Sequence, residues 1–271
     1  MSLIQLFYAF IFSLIVAALA YWRGSLSKSG VVGALIVGTL IIGFGGWPWA
    51  ALLGVFFISS SLLSHFKEAE KKAAAEKFEK GHQRDLGQAL ANGGLGALLA
   101  TLSAVVPISI IPAENWFFMF LGVMATVTAD TWATELGTLS KQPPRLITTG
   151  QIVEVGTSGG VSLLGTAVSL LGGLTIGLTA GLVTGFSLPG MLITGAISGL
   201  AGSLIDSLLG ATVQQIYFSE DRQKETEKKI ELDGTPNRPL RGWSWMSNDM
   251  VNLISSLGGG FIAVAIAGLL S

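Results

Sequence analysis

Across 271 residues the chain is 50% apolar and 12% charged, about half the ~25% charge of soluble domains, which excludes an ordinary water-soluble fold. The absence of Cys excludes disulfides and thiol chemistry, and two His without Cys argue against a zinc site. A formal net charge of −1 conceals strong sidedness, and no nucleic-acid partner is expected.

Eight apolar runs read as transmembrane helices, at 3–22, 29–46, 48–66, 87–111, 115–138, 159–185, 188–213 and 249–270. Most exceed the ~20 residues needed to cross the hydrocarbon core. All 16 Lys and Arg fall in alternate breaks between these runs. Arg23 and Lys28 follow the first. Lys67, Lys71, Lys72, Lys77, Lys80 and Arg84 follow the third. Lys141 and Arg145 follow the fifth, and Arg222, Lys224, Lys228, Lys229, Arg238 and Arg241 follow the seventh. The breaks near 45–49, 112–115 and 186–189 carry no cation, and Glu114 is the only charge placed on that side. Short cytoplasmic loops retain Lys and Arg, so the alternation predicts both termini outside the cytoplasm and a functional face toward it. The expected architecture is an all-α, multi-pass bundle in the cell or cytoplasmic membrane. Ala18-Leu19-Ala20 resembles a signal-peptidase site, but no cation precedes the first run and Arg23 follows it, so that run is kept as a span.

One transmembrane domain over 1–271 is the simplest organisation, with two cytoplasmic excursions. Residues 67–85 are rich in Ala, Glu and Lys, with Glu68/Lys72 and Glu76/Lys80 at i,i+4 spacing, and predict a helical extension of the third span. In the charged segment 214–248, Pro236 and Pro239 stop a helix, while Trp243 and Trp245 suit the membrane–water boundary. That segment is either a passive anchored loop or a flap over a site. The 36 Gly gather in spans four, six and seven, where small residues let helix backbones approach closely.

Asp130, Glu135 and Asp206 lie within or at the end of apolar spans, where a charge costs roughly 2.5–3.5 kcal/mol on insertion scales. No Lys or Arg lies inside a span, so a bound metal, a protonated carboxyl or a loop Arg must balance them. At 1.5 Å per residue, Asp130 stands about 22 Å along the fifth span and Asp206 about 27 Å along the seventh. Both therefore fall near the cytoplasmic end. The fourth span starts there with Gln88, Asn92 and Gly96 at i,i+4,i+8, and the eighth with Asn248, Asn252 and Ser256. Asp130 and Glu135 are about 140° apart on a regular helix, so both serve one site only if that site wraps around the helix end. Glu135 otherwise reads as an interfacial residue.

Residues Gly156, Thr157, Ser158, Gly159, Gly160, Val161 and Ser162 open the sixth span from the same side. Free backbone N–H groups at a helix start suit phosphate. Beside acidic residues at matching depth, this predicts Mg²⁺ held by carboxylates and phosphate held by Mg²⁺ and amides.

The segments Gln88-Ala89-Leu90-Ala91-Asn92-Gly93, Asp130-Thr131-Trp132-Ala133-Thr134-Glu135-Leu136-Gly137 and Pro144-Arg145-Leu146-Ile147-Thr148-Thr149 carry a resemblance. So do Gly156-Thr157-Ser158-Gly159-Gly160-Val161-Ser162, Gly202-Ser203-Leu204-Ile205-Asp206-Ser207 and Asn248-Asp249-Met250-Val251-Asn252. Together they resemble the integral membrane family known as domain of unknown function ninety-two, which includes plant phytyl-phosphate kinase and an animal transmembrane protein. The resemblance implies an isoprenoid-phosphate kinase. A nucleoside triphosphate, CTP by that likeness, would phosphorylate a lipid monophosphate to a diphosphate.

Combined with the residues, this gives Asp130 and Asp206 as Mg²⁺ ligands and catalytic groups, with Glu135 beside them. Gly156, Thr157, Gly159, Gly160 and Ser162 would cradle phosphate. Gln88, Asn92, Asn248 and Asn252 would complete ligation, and Arg84 and Arg145 would contact phosphates from the rim. Membrane lipid is the expected surrounding partner, and homo-oligomerisation stays open. Two rivals also stay open: an ion- or proton-coupled transporter or lipid flippase using Asp130 and Asp206, and a lipid-phosphate nucleotidyltransferase.

Overall fold

Helix ends in this chain are set by caps and breakers, and the computed structural model describes residues 3–67, 70–71, 83–231 and 233–270. α1, Leu3–Trp22, stops before Gly24, whose φ of 74° a side chain would resist. Ser27 caps α2, Lys28–Leu40, by accepting the Gly30 N–H at 3.1 Å. That helix runs on through a π-helical turn, Ile41–Gly45, to Gly46; Pro48 then sits in the first turn of α3, Trp47–His65. α4, Leu86–Val105, opens on a capping box in which Asp85 and Gln88 satisfy each other's backbone N–H. α5 is Ala113–Gly137, α6 Leu163–Val183, α7 Leu188–Thr212 and α8 Asn248–Leu270.

Eight described helices are long and apolar enough to cross a membrane, matching the predicted count. Two boundaries differ by more than two residues. The fourth helix ends at Val105 rather than 111, because Pro107 forces Val106 into an extended conformation (ψ 126°). The sixth begins at Leu163 rather than 159, because Gly159 adopts φ 83° and Gly160–Val161 is a short strand.

The third helix does not run on into 67–85 as expected. Phe66 turns extended (ψ 123°) and Lys67 is left-handed (φ 51°), so the helix is broken there, and Glu70 and Lys71 turn helical again. The pairs Glu68/Lys72 and Glu76/Lys80, and His82, lie outside the described residues.

α5 is the axis of the bundle and packs against α3, α4, α6, α7 and α8. Most of its residues from Trp116 to Ala129 are buried. Glycines bring the neighbouring helices together. A Cβ on Gly195 of α7 would stand 2.7 Å from Gly177 Cα of α6, and one on Gly199 would stand 2.8 Å from Gly173 Cα. Such contact lets dispersion between backbones replace the hydrophobic effect. Outward faces are the reverse: Leu164, Leu171, Leu178 and Leu182 form an exposed stripe along α6.

The two ends of the bundle differ. Where α3 and α5 begin and α6 passes to α7, Trp49, Phe117, Phe118, Phe120 and Phe186 form an aromatic cluster, with Trp49 and Phe120 stacked at 4.2 Å. At the other end lie two small sheets that the sequence reading did not foresee. β1, Arg145–Leu146, pairs antiparallel with β2, Gly160–Val161. β3, Ile216–Ser219, lies between β4, Lys224–Thr226, and β5, Arg238–Arg241.

Candidate active site

At that second end α3, α5 and α7 finish and α4, α6 and α8 begin, around one cavity of about 310 Å³. α5 contributes Asp130, Thr131, Thr134 and Glu135, and Thr138 follows at its C-cap, so the cavity wraps around its last two turns. This is how Asp130 and Glu135, about 140° apart on a regular helix, share one chamber. α7 contributes Ser203, Asp206 and Ser207. Gln88 and Asn92 line the wall from the first turns of α4, and Asn248 and Asn252 from those of α8.

Asp206 accepts a hydrogen bond from Ser255 Oγ at 2.9 Å, whereas the Asp130 carboxylate takes none from any described residue. Asp130 is within electrostatic reach of both Asp206 and Glu227, and Glu227 also lines the cavity. Among the described residues no three His, Cys, Asp or Glu gather closely enough to hold a metal ion by themselves.

Glu135 is differently placed. Its Oε1 accepts from Ser64 Oγ at 2.7 Å and its Oε2 pairs with Lys71 Nζ at 2.5 Å. Lys71 also donates to Leu63 O and Ser64 O, so it caps the exposed carbonyls of α3 while neutralising Glu135. Sequence reasoning offered a bound metal, a protonated carboxyl or a loop Arg to balance these carboxylates and missed Lys71. Arg84 is a second cation in the wall. Its Nη1 donates to Ser61 Oγ at 3.0 Å, and its guanidinium lies over Phe56 and Phe57 at 5.9 and 5.8 Å. Burial pushes its pKa below that of an ordinary arginine, and the Glu135 charge acts the other way.

The glycine-rich segment forms another wall, with Gly156, Thr157, Gly159, Gly160 and Ser162 all lining the cavity. Gly159 is needed for close approach, since a Cβ there would stand 2.6 Å from Ala211 N of α7. Thr157 and Gly160 N–H close turns on Glu154 O and Thr157 O, and Ser162 Oγ caps α6 through Gly165 N. The N–H groups of Gly156, Ser158 and Gly159 have no acceptor among the described residues.

The 214–248 segment does not stand apart. Gln214 accepts from Ser158 Oγ at 2.5 Å and donates to Glu227 at 2.9 Å, tying the strand segment to the glycine-rich wall. Glu227 therefore belongs to the chamber, a second residue that sequence reasoning missed. Arg145 is the one predicted site residue outside the lining: it lies on β1 and donates to Gly150 O at 2.8 Å. Arg241 instead reaches a helix end, donating to Gly210 O and Ala211 O of α7.

Fold and chamber together define a polytopic helical membrane protein with a polar cavity at one end of its bundle. The chain belongs to the family described as integral membrane protein DUF92, whose family model matches residues 11–260. It is similar to protein PGR of Arabidopsis thaliana, 34% identical over 272 residues and covering 93% of each chain. An uncharacterised membrane protein of Methanocaldococcus jannaschii is 33% identical over 269 residues, covering 98% of this chain and 95% of that one. The chloroplastic protein VTE6 of Arabidopsis thaliana is 24% identical over 239 residues, covering 88% of this chain and 64% of its own. No solved structure matches the chain.

Proposed function

We propose that the cavity is the active site of a Mg²⁺-dependent kinase that transfers a phosphoryl group from a nucleoside triphosphate, CTP by family likeness, to an isoprenoid or lipid monophosphate at the cytoplasmic leaflet. The observation that carries this reading is the meeting of Asp130 and Asp206, from two different helices, with the backbone N–H groups of the glycine-rich segment in one chamber. The resemblance of its motifs to a family that includes plant phytyl-phosphate kinase supports it, and the chain belongs to that integral membrane family.

The donor set fits a particular kind of metal binding. Mg²⁺ usually takes one or two carboxylates, with substrate phosphates and water filling its octahedron, rather than an all-protein cage. Asp130 and Asp206 are two such carboxylates, and no third acid or imidazole closes a cage among the described residues. When bound with substrate, the ion would neutralise the charge that builds on the transferring group. Gly156, Ser158 and Gly159 N–H groups would hold the donor phosphates, as free amides of a turn with left-handed residues do. Gln88, Asn92, Asn248 and Asn252 offer amides to orient both substrates. Arg84, with most of its five donors still uncommitted, would take the acceptor phosphate.

An oxygen of that acceptor monophosphate attacks the γ-phosphorus, the bond from γ-phosphorus to the β-bridging oxygen breaks, and a nucleoside diphosphate leaves. The acceptor needs little deprotonation, so no general base is required. This agrees with Glu135, whose two oxygens are engaged by Ser64 and Lys71. The lipid tail stays in the bilayer.

The test is purified protein in detergent with labelled CTP or ATP, Mg²⁺ and a series of isoprenyl monophosphates. Lipid diphosphate should form, and Asp130→Asn or Asp206→Asn should reduce the rate by at least ~100-fold, the scale seen when a charge-stabilising group is lost. Release of pyrophosphate with a nucleotidyl-lipid product would identify a nucleotidyltransferase. Absence of turnover together with proton-coupled uptake into vesicles would identify a transporter.

A further inference from the structure

α7 has 25 residues and so rises about 37 Å, more than the ~30 Å hydrocarbon core, which leaves its end among the lipid headgroups. The chain is clipped against that end twice. Trp243 N–H donates to Val213 O at 2.9 Å, and Gln215 N–H donates to Met246 O at 2.8 Å. α8 starts at Asn248, so residues 242–246 sit where one helix leaves the bilayer and the next enters. Here Trp243 and Trp245 stack with ring centroids 5.5 Å apart, yet they are 53% and 56% exposed. Leu240, three residues earlier, is 40% exposed. An indole favours the interfacial layer because its ring is apolar and its N–H needs a partner.

The same segment touches the cavity wall. Gly242 has φ 89°, and a Cβ there would collide with the Gln214 carbonyl. The Gln214 side chain joins Ser158 to Glu227. We propose that the Trp243–Trp245 stack is a bilayer anchor, seated in the interfacial layer, which through Gly242 and Gln214 holds the Ser158–Glu227 side of the cavity in place. The occupant of this apolar face is lipid. Residues 214–247 carry six basic and six acidic side chains, so net charge contributes nothing and the anchor needs no anionic headgroup.

The chain has no Cys, so Ser244→Cys carries a single nitroxide between the two indoles. In phosphatidylcholine nanodiscs, power-saturation EPR should give this label an oxygen-to-nickel accessibility ratio several-fold above that of a label at Thr235→Cys in the sheet's turn. Equal ratios at the two positions would mean a water-facing stack, as a protein-docking surface requires, and would overturn the anchor. In a Trp243→Ala/Trp245→Ala background the ratio at 244 should fall toward the value at 235, and tryptic cleavage at exposed Lys224 should quicken several-fold. If neither changes, the helices alone set the depth and the proposal fails. A contrast between the labels that arises only with anionic lipid overturns the charge-free occupant. These readouts do not involve catalysis, so they stand or fall apart from the kinase reading.

Discussion

Lys71 is 5% exposed, and its ammonium lies 2.8 Å from Leu63 O, 3.2 Å from Ser64 O and 2.5 Å from Glu135. Removing one partner of a buried pair leaves an uncompensated charge, at a cost of about 3–5 kcal/mol. Lys71→Met should therefore lower the thermal unfolding midpoint in detergent more than Lys71→Met/Glu135→Gln does. Equal losses would show that the ion pair is not what holds this corner. Glu231, outside the helices, offers a pH test. Burial opposes its ionisation, but hydrogen bonds from Asn237, Ser219 and Arg222, with the Arg222 charge, outweigh it and bring its pKa to about 2 from 4.5. A depressed folded value means stability present above about 4.5 and lost as pH falls through about 2. Protection factors of amides in the β3–β5 sheet, corrected for the intrinsic pH dependence of exchange, should fall across that interval, and Glu231→Gln should flatten the dependence. Asp130, Asp206 and the amide pairs were legible in the sequence because a polar residue inside an apolar run stands out by its cost. Lys71 and Glu227 were not, because each lies in a charged segment where a solvated side chain and a cavity side chain look alike.

Among the helices, α6 and α7 depend most plainly on missing side chains. Gly199→Val would press on Gly173 Cα and Ala125 O, which stand only 2.8 and 3.0 Å from the position of a Cβ. Overpacking of this kind costs about 1–3 kcal/mol. Gly54 of α3 faces open space, so Gly54→Ala should be neutral or gain up to ~1 kcal/mol from helix propensity. Detergent unfolding of the two variants separates these outcomes, and similar shifts would remove the close-approach account. The spans themselves were readable because 18 or more apolar residues leave little alternative to a helix. Their ends were less so: Pro107 acts on the residue before it, and Gly159 breaks the chain ahead of the cap at Ser162. The strands, only two to four residues long, have too few positions for a period-two pattern to be recognised.

For the molecule as a whole, the cationic breaks and the cavity fall at one end, and the aromatic cluster at the other. A single Cys placed at Lys228 or Thr149 should be shielded from an impermeant maleimide in intact cells, while one at Glu114 should react. The opposite result would invert the orientation on which a cytoplasmic site depends. The aromatic end has a further bearing. From Trp116 to Val127 the axial helix is lined by apolar side chains apart from a few groups such as Thr126, and Trp49, Phe117 and Phe120 close around it. The residues that line the chamber come from the opposite end of the bundle, beside the basic segments. A ligand too polar to dissolve in the bilayer is therefore expected to enter and leave by the same door.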